Sequence, residues 1–161
     1  NNIKIRFEVT AEGNKTFLND TDVEEEIKKM YVSNQVSPVS TISIVRRFLV
    51  KQQRTIGEAK GIVMDGRDIA SVVFPNAELK IFMTASAQTR AQRRFDELQQ
   101  KGDSVSFEEV LKNVEERDYI DTHRADSPLV KDKNAIEIDN SHLSREEQFD
   151  QVLNLVTTIL R

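Results

Sequence analysis

The first forty residues change from alternating to irregular spacing of apolar side chains. Apolar residues stand at every second position from Ile3 to Val9, which is the period of a half-buried strand. Residues 12–15 have the composition of a turn, and residues 16–18 predict the return strand of a hairpin. Residues 19–22 offer N-caps for a short helix that continues to about residue 32. Residues 33–41 are rich in serine and contain Pro38, which favours a loop or a loosely capped helix entry.

From residue 42 onward the pattern alternates between helical spacing and short apolar runs. Predicted helices cover residues 42–57, 86–100 and 106–121, and a last one begins at Ser144; predicted strands cover residues 61–64, 79–83 and 135–139. Ser106 and Glu109 have the spacing of a capping box. Strands separated by helices predict an α/β fold with a parallel sheet and helices on both faces. Three strands are few for such a sheet, which suggests that further strands precede this chain.

Composition narrows the class of protein. The chain has 161 residues, of which 38% are hydrophobic and 31% charged, and it has no cysteine and two histidines. Disulfides and thiolate metal sites are therefore excluded, and a histidine-built zinc site is not expected. The net charge of −4 argues against general nucleic-acid binding, and no apolar run is long enough to cross a membrane. We expect a cytoplasmic enzyme or binding domain.

Polar residues with chemical potential follow the predicted strand 61–64. The tetrad Asp65-Gly66-Arg67-Asp68 would lie at the carboxyl end of that strand, where open α/β sheets bind ligands. A carboxylate there can hold hydrated Mg²⁺, and an arginine can bind a phosphate with two donors. The tetrad alone is equally consistent with a strand-end turn that contains an internal ion pair.

Arginine is the most prominent candidate residue type. Arg117 and Asp121 are four residues apart on a predicted helix, and Arg124 follows seven residues after Arg117. Two cations on one helix face can bind a common anion, as phosphoryl transfer requires. The spacing is equally consistent with a ladder of salt bridges. The phosphate-binding motif Gly-x-x-x-x-Gly-Lys-Ser/Thr is absent from the sequence.

Several segments together resemble the bacterial cytidylate kinases, which are nucleoside monophosphate kinases. The resemblance is carried by residues 34–46, 63–69, 72–82, 90–94, 116–118, 127–129 and 138–144, in order and with family-like spacing. It implies transfer of the γ-phosphate of ATP to CMP or dCMP in pyrimidine nucleotide metabolism, with Mg²⁺ accompanying ATP. It also implies a P-loop-type parallel sheet flanked by helices, with an inserted α+β monophosphate-binding subdomain at residues 1–41. Residues 42–161 would form the remaining kinase core, with a lid at about residues 88–103.

The resemblance assigns roles to individual residues. Ser37 and Arg46 would contact the cytosine ring, whereas Asp68 and Asp121 would hold the ribose. Arg67, Arg117 and Arg124 would bind phosphate and act in catalysis, and Arg124 is the best candidate for contact with both substrates. Arg93 and Arg94 would bind ATP from the lid, and Asp65 would orient a water molecule on Mg²⁺.

One departure from the family pattern changes the expectation for this chain. The first strand, the phosphate loop and the first helix of the family are missing, so we interpret the sequence as part of a longer kinase, itself monomeric. On this interpretation the 161 residues alone show little turnover. The alternatives are a kinase for another small monophosphate, or a non-catalytic nucleotide-binding module that has lost the loop.

Overall fold

The structure is a computed structural model that describes residues 3–11 and 13–159. These residues fall into two compact units, one that ends at Ser40 and one that begins at Thr41. No helix in the described part of the chain is long and apolar enough to cross a membrane.

The first unit contains a three-stranded antiparallel sheet. Its strands are β1 (Ile5–Thr10), β2 (Gly13–Leu18) and β3 (Thr21–Asp22), in that spatial order. The predicted hairpin is confirmed, with Ile5 opposite Leu18. However, β2 begins at Gly13, so most of the predicted turn 12–15 is strand, and Glu12 lies outside the described residues.

The third strand replaces the predicted helix start at residues 19–22. Asn19 and Asp20 have positive φ angles of 48° and 69° and connect β2 to β3. Two successive residues of this kind form a tight hairpin turn, and asparagine and aspartate adopt this conformation more readily than most residues. Their side chains therefore serve a turn and not a helix cap.

One further prediction for the first unit is wrong. Strand β1 is not half-buried, because Phe7 and Val9 are 56% and 88% exposed and nothing in the described residues covers them.

Residues 33–41, for which the sequence left a loop and a helix entry open, are mostly helix. A 3₁₀ turn (Glu26–Lys28) precedes α1 (Met30–Ser40), which contains Pro38. The proline lies in the last turn of α1, and serine and asparagine have only weak preferences against a helix.

The second unit has the predicted alternation of helices and strands. Its elements are α2 (Ser43–Gly57), a π-helical turn (Ile69–Val73, the π-turn below), β4 (Ile81–Thr84), α3 (Ala87–Gln100), α4 (Phe107–His123), β5 (Ile136–Asp139) and α5 (Arg145–Ile159). Strands β4 and β5 pair in parallel, from Ile81 opposite Ile136 to Thr84 opposite Asp139. A helical crossover between parallel strands is what an α/β fold requires.

The predicted strand 61–64 does not form. These residues are irregular, and Val63 is fully exposed. A strand needs neighbours for its backbone N–H and C=O groups, and no strand of the described residues lies beside this segment. The apolar sequence therefore predicted a buried strand, but the described residues do not bury this segment. Among the described residues the parallel sheet has two strands and not the predicted three.

Helices α3 and α4 form a packed helical hairpin around a small apolar core. Ser86 caps α3, because its Oγ accepts from the N–H of Thr89 at 3.0 Å. Ser106 and Glu109 form the predicted capping box at the start of α4. The rings of Phe95 and Phe107 meet edge to face at 6.2 Å, beside the buried side chains of Ala91, Leu98 and Val110.

Candidate functional site

A cluster of charged side chains, the arginine–aspartate cluster, is assembled from three parts of the second unit. Helix α2 supplies one member, and the segment before the π-turn supplies two. The end of α4 and the residue that directly follows it supply the rest. Its members are Arg46, Arg67, Asp68, Arg117, Asp121 and Arg124.

The centre of the cluster is the carboxylate of Asp121. Its Oδ1 accepts from Nη1 of Arg124 at 3.0 Å, and its Oδ2 accepts from Nε of Arg67 at 3.2 Å. Asp121 and Arg124 are 5% and 8% exposed, whereas the Arg67 side chain is 47% exposed. One carboxylate thus brings together two arginines that are far apart in the sequence.

A tight turn after α4 fixes the direction of Arg124. The helix ends at His123, and Arg124 itself is extended. Nε of Arg124 donates to the carbonyl of Ser127 at 2.8 Å, and the N–H of Leu129 returns to the carbonyl of Asp121 at 2.7 Å. Ser127 has a positive φ of 51°, which turns the chain back towards the helix. The guanidinium is therefore held by both a carboxylate and the backbone.

A second buried ion pair joins α2 to the start of the π-turn. Nη2 of Arg46 donates to Oδ2 of Asp68, and the two side chains are only 11% and 9% exposed. A buried pair of opposite charges needs good geometry to offset the loss of water from both groups. This pair fixes Asp68 relative to α2.

The arginines of the cluster are crowded as well as buried. Burial lowers the pKa of the Arg117 guanidinium, and the neighbouring charge of Arg67 lowers it further. Burial also lowers the pKa of Arg124, with Arg46 as the next contributor. Both arginines stay protonated at neutral pH, because the pKa of an arginine guanidinium lies far above neutral. A bound anion would relieve this crowding.

Some buried donors in the cluster lack a hydrogen-bond partner among the described residues. Examples are Nε of Arg46 and Nε of Arg117. Buried N–H groups are nearly always hydrogen-bonded, so such donors call for a ligand or ordered water. Four guanidinium groups and two carboxylates leave the cluster with excess positive charge. The arrangement is therefore suited to a ligand with several negatively charged oxygens.

A family model described as cytidylate kinase matches residues 1–158 of the chain. The chain belongs to the cytidylate kinase family. Among curated relatives, a cytidylate kinase of Flavobacterium psychrophilum is 68% identical over 143 residues, which are 89% of this chain and 63% of that protein. A cytidylate kinase of Flavobacterium johnsoniae is 67% identical over 90% of this chain and 63% of its own length. A cytidylate kinase of Phocaeicola vulgatus is 58% identical over 91% of this chain and 65% of its own length.

The chain therefore spans less than two thirds of the length of these curated cytidylate kinases. The match covers nearly all of the present chain, including every residue of the arginine–aspartate cluster, since the family model runs from residue 1 to residue 158.

The structure brings together six of the residues that the resemblance to cytidylate kinases singled out, and these are the six of the cluster. Ser37 belongs to the first unit, where it is buried on α1 at 4% exposure, and its carbonyl accepts from Oγ of Ser40 at 2.8 Å. Asp65 is exposed in the irregular segment before the π-turn. Among the described residues, no group of three or more histidine, aspartate or glutamate side chains could hold a metal ion.

The two arginines predicted to contact ATP lie on α3 and already have protein partners. Arg93 donates to the side chain and the carbonyl of Asn140 at 3.0 and 2.7 Å. Arg94 donates to Glu97 at 2.7 Å. Arg93 therefore connects α3 to the end of β5, and Arg94 pairs within α3. Binding of ATP by either of them stays a prediction.

Two ion pairs and a turn are among the features of the second unit that were not predicted from the sequence. Arg90 binds both oxygens of Asp118 at 2.9 and 2.6 Å and so joins α3 to α4. Lys80 is 8% exposed and pairs with Asp132 at 3.1 Å. The third feature is the π-turn itself. The two ion pairs join residues that are 28 and 52 positions apart, and such distant pairs leave no pattern in the local sequence. The sequence of the π-turn, Ile-Ala-Ser-Val-Val, has no feature that separates it from a strand.

Proposed function

We propose that this chain is part of an enzyme that transfers the γ-phosphate of ATP to CMP or dCMP. Membership of the cytidylate kinase family supports the proposal. The observation that carries it is the shared Asp121 carboxylate, which gathers Arg67 and Arg124 beside the buried Arg46–Asp68 pair. In phosphoryl transfer, most of the catalytic effect comes from positioning and from cations that balance charge on the phosphate oxygens.

Within this proposal each charged residue has one role. Arg67, Arg117 and Arg124 bind phosphate oxygens, and Arg124 stabilises the charge of the phosphoryl group in transit. Asp68 and Asp121 hold the ribose hydroxyls, and Arg46 contacts the cytosine. Ser37 completes the recognition of the base from the inserted subdomain at residues 1–41.

ATP is accompanied by Mg²⁺ in the proposed reaction. Magnesium is commonly bound by one or two carboxylates together with substrate phosphates, so a single aspartate is a sufficient protein ligand. Asp65 is the candidate on this chain, acting through a bound water molecule. When bound, the ion would neutralise charge on the phosphates of ATP. Arg93 and Arg94, in the proposed lid at about residues 88–103, would contact ATP.

The proposed lid at about residues 88–103 comprises most of α3 and the turn that follows it. Closure of such a segment excludes water, which protects ATP from hydrolysis. We also retain the expectations of a cytoplasmic location and of a monomeric enzyme. The 161 residues contain no phosphate-binding loop motif, so we expect them to have little activity on their own.

A coupled assay with ATP and CMP tests the proposal directly. The assay compares the 161-residue chain with a chimera that is extended at its N-terminus to the length of the Flavobacterium psychrophilum relative. We expect turnover of CMP and dCMP by the chimera and a weaker response to UMP. Equal turnover of UMP would favour a kinase for other monophosphates. Absence of phosphorylation in the chimera, with CMP binding retained, would favour the non-catalytic module.

A further inference from the structure

Helix α2 holds both ends of the π-turn through two arginines. Arg46, near the start of α2, binds Asp68, which immediately precedes the π-turn. Arg54, eight residues later, donates from Nη2 to the carbonyl of Val72 at 2.7 Å and from Nε to the carbonyl of Val73 at 3.2 Å. Eight residues of α-helix span about 12 Å, so the two arginines are spaced along α2 to reach opposite ends of a short element.

The residues that Arg54 holds also fix the backbone of Asp68. The N–H groups of Val72 and Val73 both donate to the carbonyl of Asp68, at 2.8 and 3.2 Å. The N–H of Phe74 donates to the carbonyl of Ile69 at 2.7 Å, which closes a wide turn of the π type. Arg54 therefore acts on Asp68 through a continuous set of hydrogen bonds.

Close packing leaves little room for the π-turn to move independently of α2. Gly57, the last residue of α2, lies so near the ring of Phe74 that a Cβ atom there would be 2.4 Å from Cζ. Val73 is only 2% exposed. The helix and the turn are thus closely packed, and Arg54 contacts the end of the turn that is farther from Asp68.

We propose that Arg54 is a positioning residue for the nucleoside monophosphate, because it holds the π-turn in the conformation that presents Asp68. The inference rests on the proposed function, in which Asp68 holds the ribose of CMP. A π-helical turn is uncommon and is frequent at functional sites, so its conformation needs support from outside the turn. Arginine suits this task because its planar fork can donate to two neighbouring carbonyls at once, which lysine cannot do with the same geometry.

The kinetic test uses the extended chimera and the variant Arg54→Ala. We expect the KM for CMP to rise about tenfold, with kcat within about threefold and the KM for ATP within about twofold. The phosphate-binding arginines are untouched by the substitution, which is why kcat is expected to persist. Arg47→Ala is the matched control, since Arg47 is an exposed arginine of the same helix. A KM for CMP that does not change in Arg54→Ala would overturn the proposal.

A rescue experiment separates positioning from a general loss of stability. A few millimolar guanidinium ion should lower the KM for CMP of Arg54→Ala, whereas the same concentration of ammonium ion should not. Arg54→Lys should give an intermediate KM, because one ammonium group can keep only part of the two-carbonyl contact. If Arg54→Ala lowers both kcat and the melting temperature, and guanidinium ion does not restore the KM for CMP, Arg54 has a purely structural role. This outcome would contradict the proposal.

Hydrogen exchange gives a readout that does not depend on activity. In Arg54→Ala the amides of Val72 and Val73 should exchange about tenfold faster, while amides in the middle of α4 should be unchanged. Unchanged exchange at Val72 and Val73 would overturn the inference whatever the kinetics show. If the unsubstituted chimera fails to phosphorylate CMP while the amides behave as expected, the proposed function fails and the hold of Arg54 on the π-turn stands.

Discussion

Arg124 and Asp121 form a buried ion pair three residues apart, at the point where α4 ends. Nη1 of Arg124 and Oδ1 of Asp121 are 3.0 Å apart, and the side chains are only 3% and 7% exposed. Removing one partner of such a deeply buried pair lowers the free energy of unfolding strongly, because the remaining charge is left without water or a partner. The contact therefore fixes the orientation of Arg124 before any ligand is bound.

Replacing Arg124 tests its proposed catalytic role. In the extended chimera we expect Arg124→Ala to lower kcat at least a hundredfold and to raise the KM for CMP by less than about tenfold, because phosphate charge is greatest during transfer. Steady-state kinetics with ATP and CMP give both values. Arg145→Ala, an exposed arginine on α5, is the control and should be neutral. The role is wrong if Arg124→Ala, or the milder Arg124→Lys, keeps kcat within about threefold.

The Arg46–Asp68 pair predicts a large effect on stability. Asp68→Ala leaves the guanidinium of a nearly buried arginine without its carboxylate, so we expect a loss of about 3–5 kcal/mol in the free energy of unfolding. Urea unfolding followed by circular dichroism measures it. Lys101→Ala breaks the exposed pair with Glu97 and should cost less than about 1 kcal/mol. Equal losses for the two variants would show that burial of the Arg46–Asp68 pair does not govern its contribution.

The Lys80–Asp132 pair predicts a specific acid sensitivity. The backbone N–H of Asn134 and, after it, the Lys80 ammonium lower the pKa of the Asp132 carboxyl in the folded protein. A lowered pKa stabilises the fold above the ordinary aspartate pKa of about 3.9, and this stabilisation is lost as the pH falls through the folded value. We expect Asp132→Asn to weaken the decrease of melting temperature below about pH 4. An unchanged slope of melting temperature against pH would contradict the assignment.

The contact between Gly57 and Phe74 predicts a penalty for a substitution that usually stabilises helices. Alanine is favoured over glycine inside a helix by about 1 kcal/mol. Here the added methyl group would lie 2.4 Å from the Phe74 ring, so we expect Gly57→Ala to destabilise the protein by about 1–3 kcal/mol. Urea midpoints measure the difference, and Gly57→Ala combined with Phe74→Leu should recover part of the loss. A more stable Gly57→Ala protein would mean that α2 does not pack directly on the end of the π-turn.

Local signals in the sequence predicted the elements whose boundaries depend on nearby residues. The capping box of Ser106 and Glu109 is a contact across three residues, and the structure confirms it. The strand expected at residues 61–64 depends on neighbouring strands, which an apolar run cannot specify. Asn19 and Asp20 suit both a helix cap and a tight hairpin turn, and only the pairing of β2 with β3 separates the two.

The same distinction applies to the candidate site. The spacing of Arg117, Asp121 and Arg124 left a salt-bridge ladder and an anion site equally open. In the structure, Asp121 pairs with Arg124, which directly follows α4, and with Arg67 from 54 residues away. Salt bridges are therefore present, and binding of an anion stays a prediction. The resemblance assigned Arg46 and Asp68 to the same substrate, but the contact between them was not predicted, because a separation of 22 residues has no helical period. The contacts of Arg54 were not predicted, because its partners are backbone carbonyls and every residue type has one.

The bridging carboxylate of Asp121 has a consequence for the energetics of recognition. Arginine side chains have many rotamers, and ordering them when a ligand arrives reduces affinity. Asp121 orders Arg67 and Arg124 during folding. In the proposed phosphate site this entropy is therefore lost during folding and not on binding, because the Asp121 carboxylate already holds both arginines as an anionic group of the ligand would.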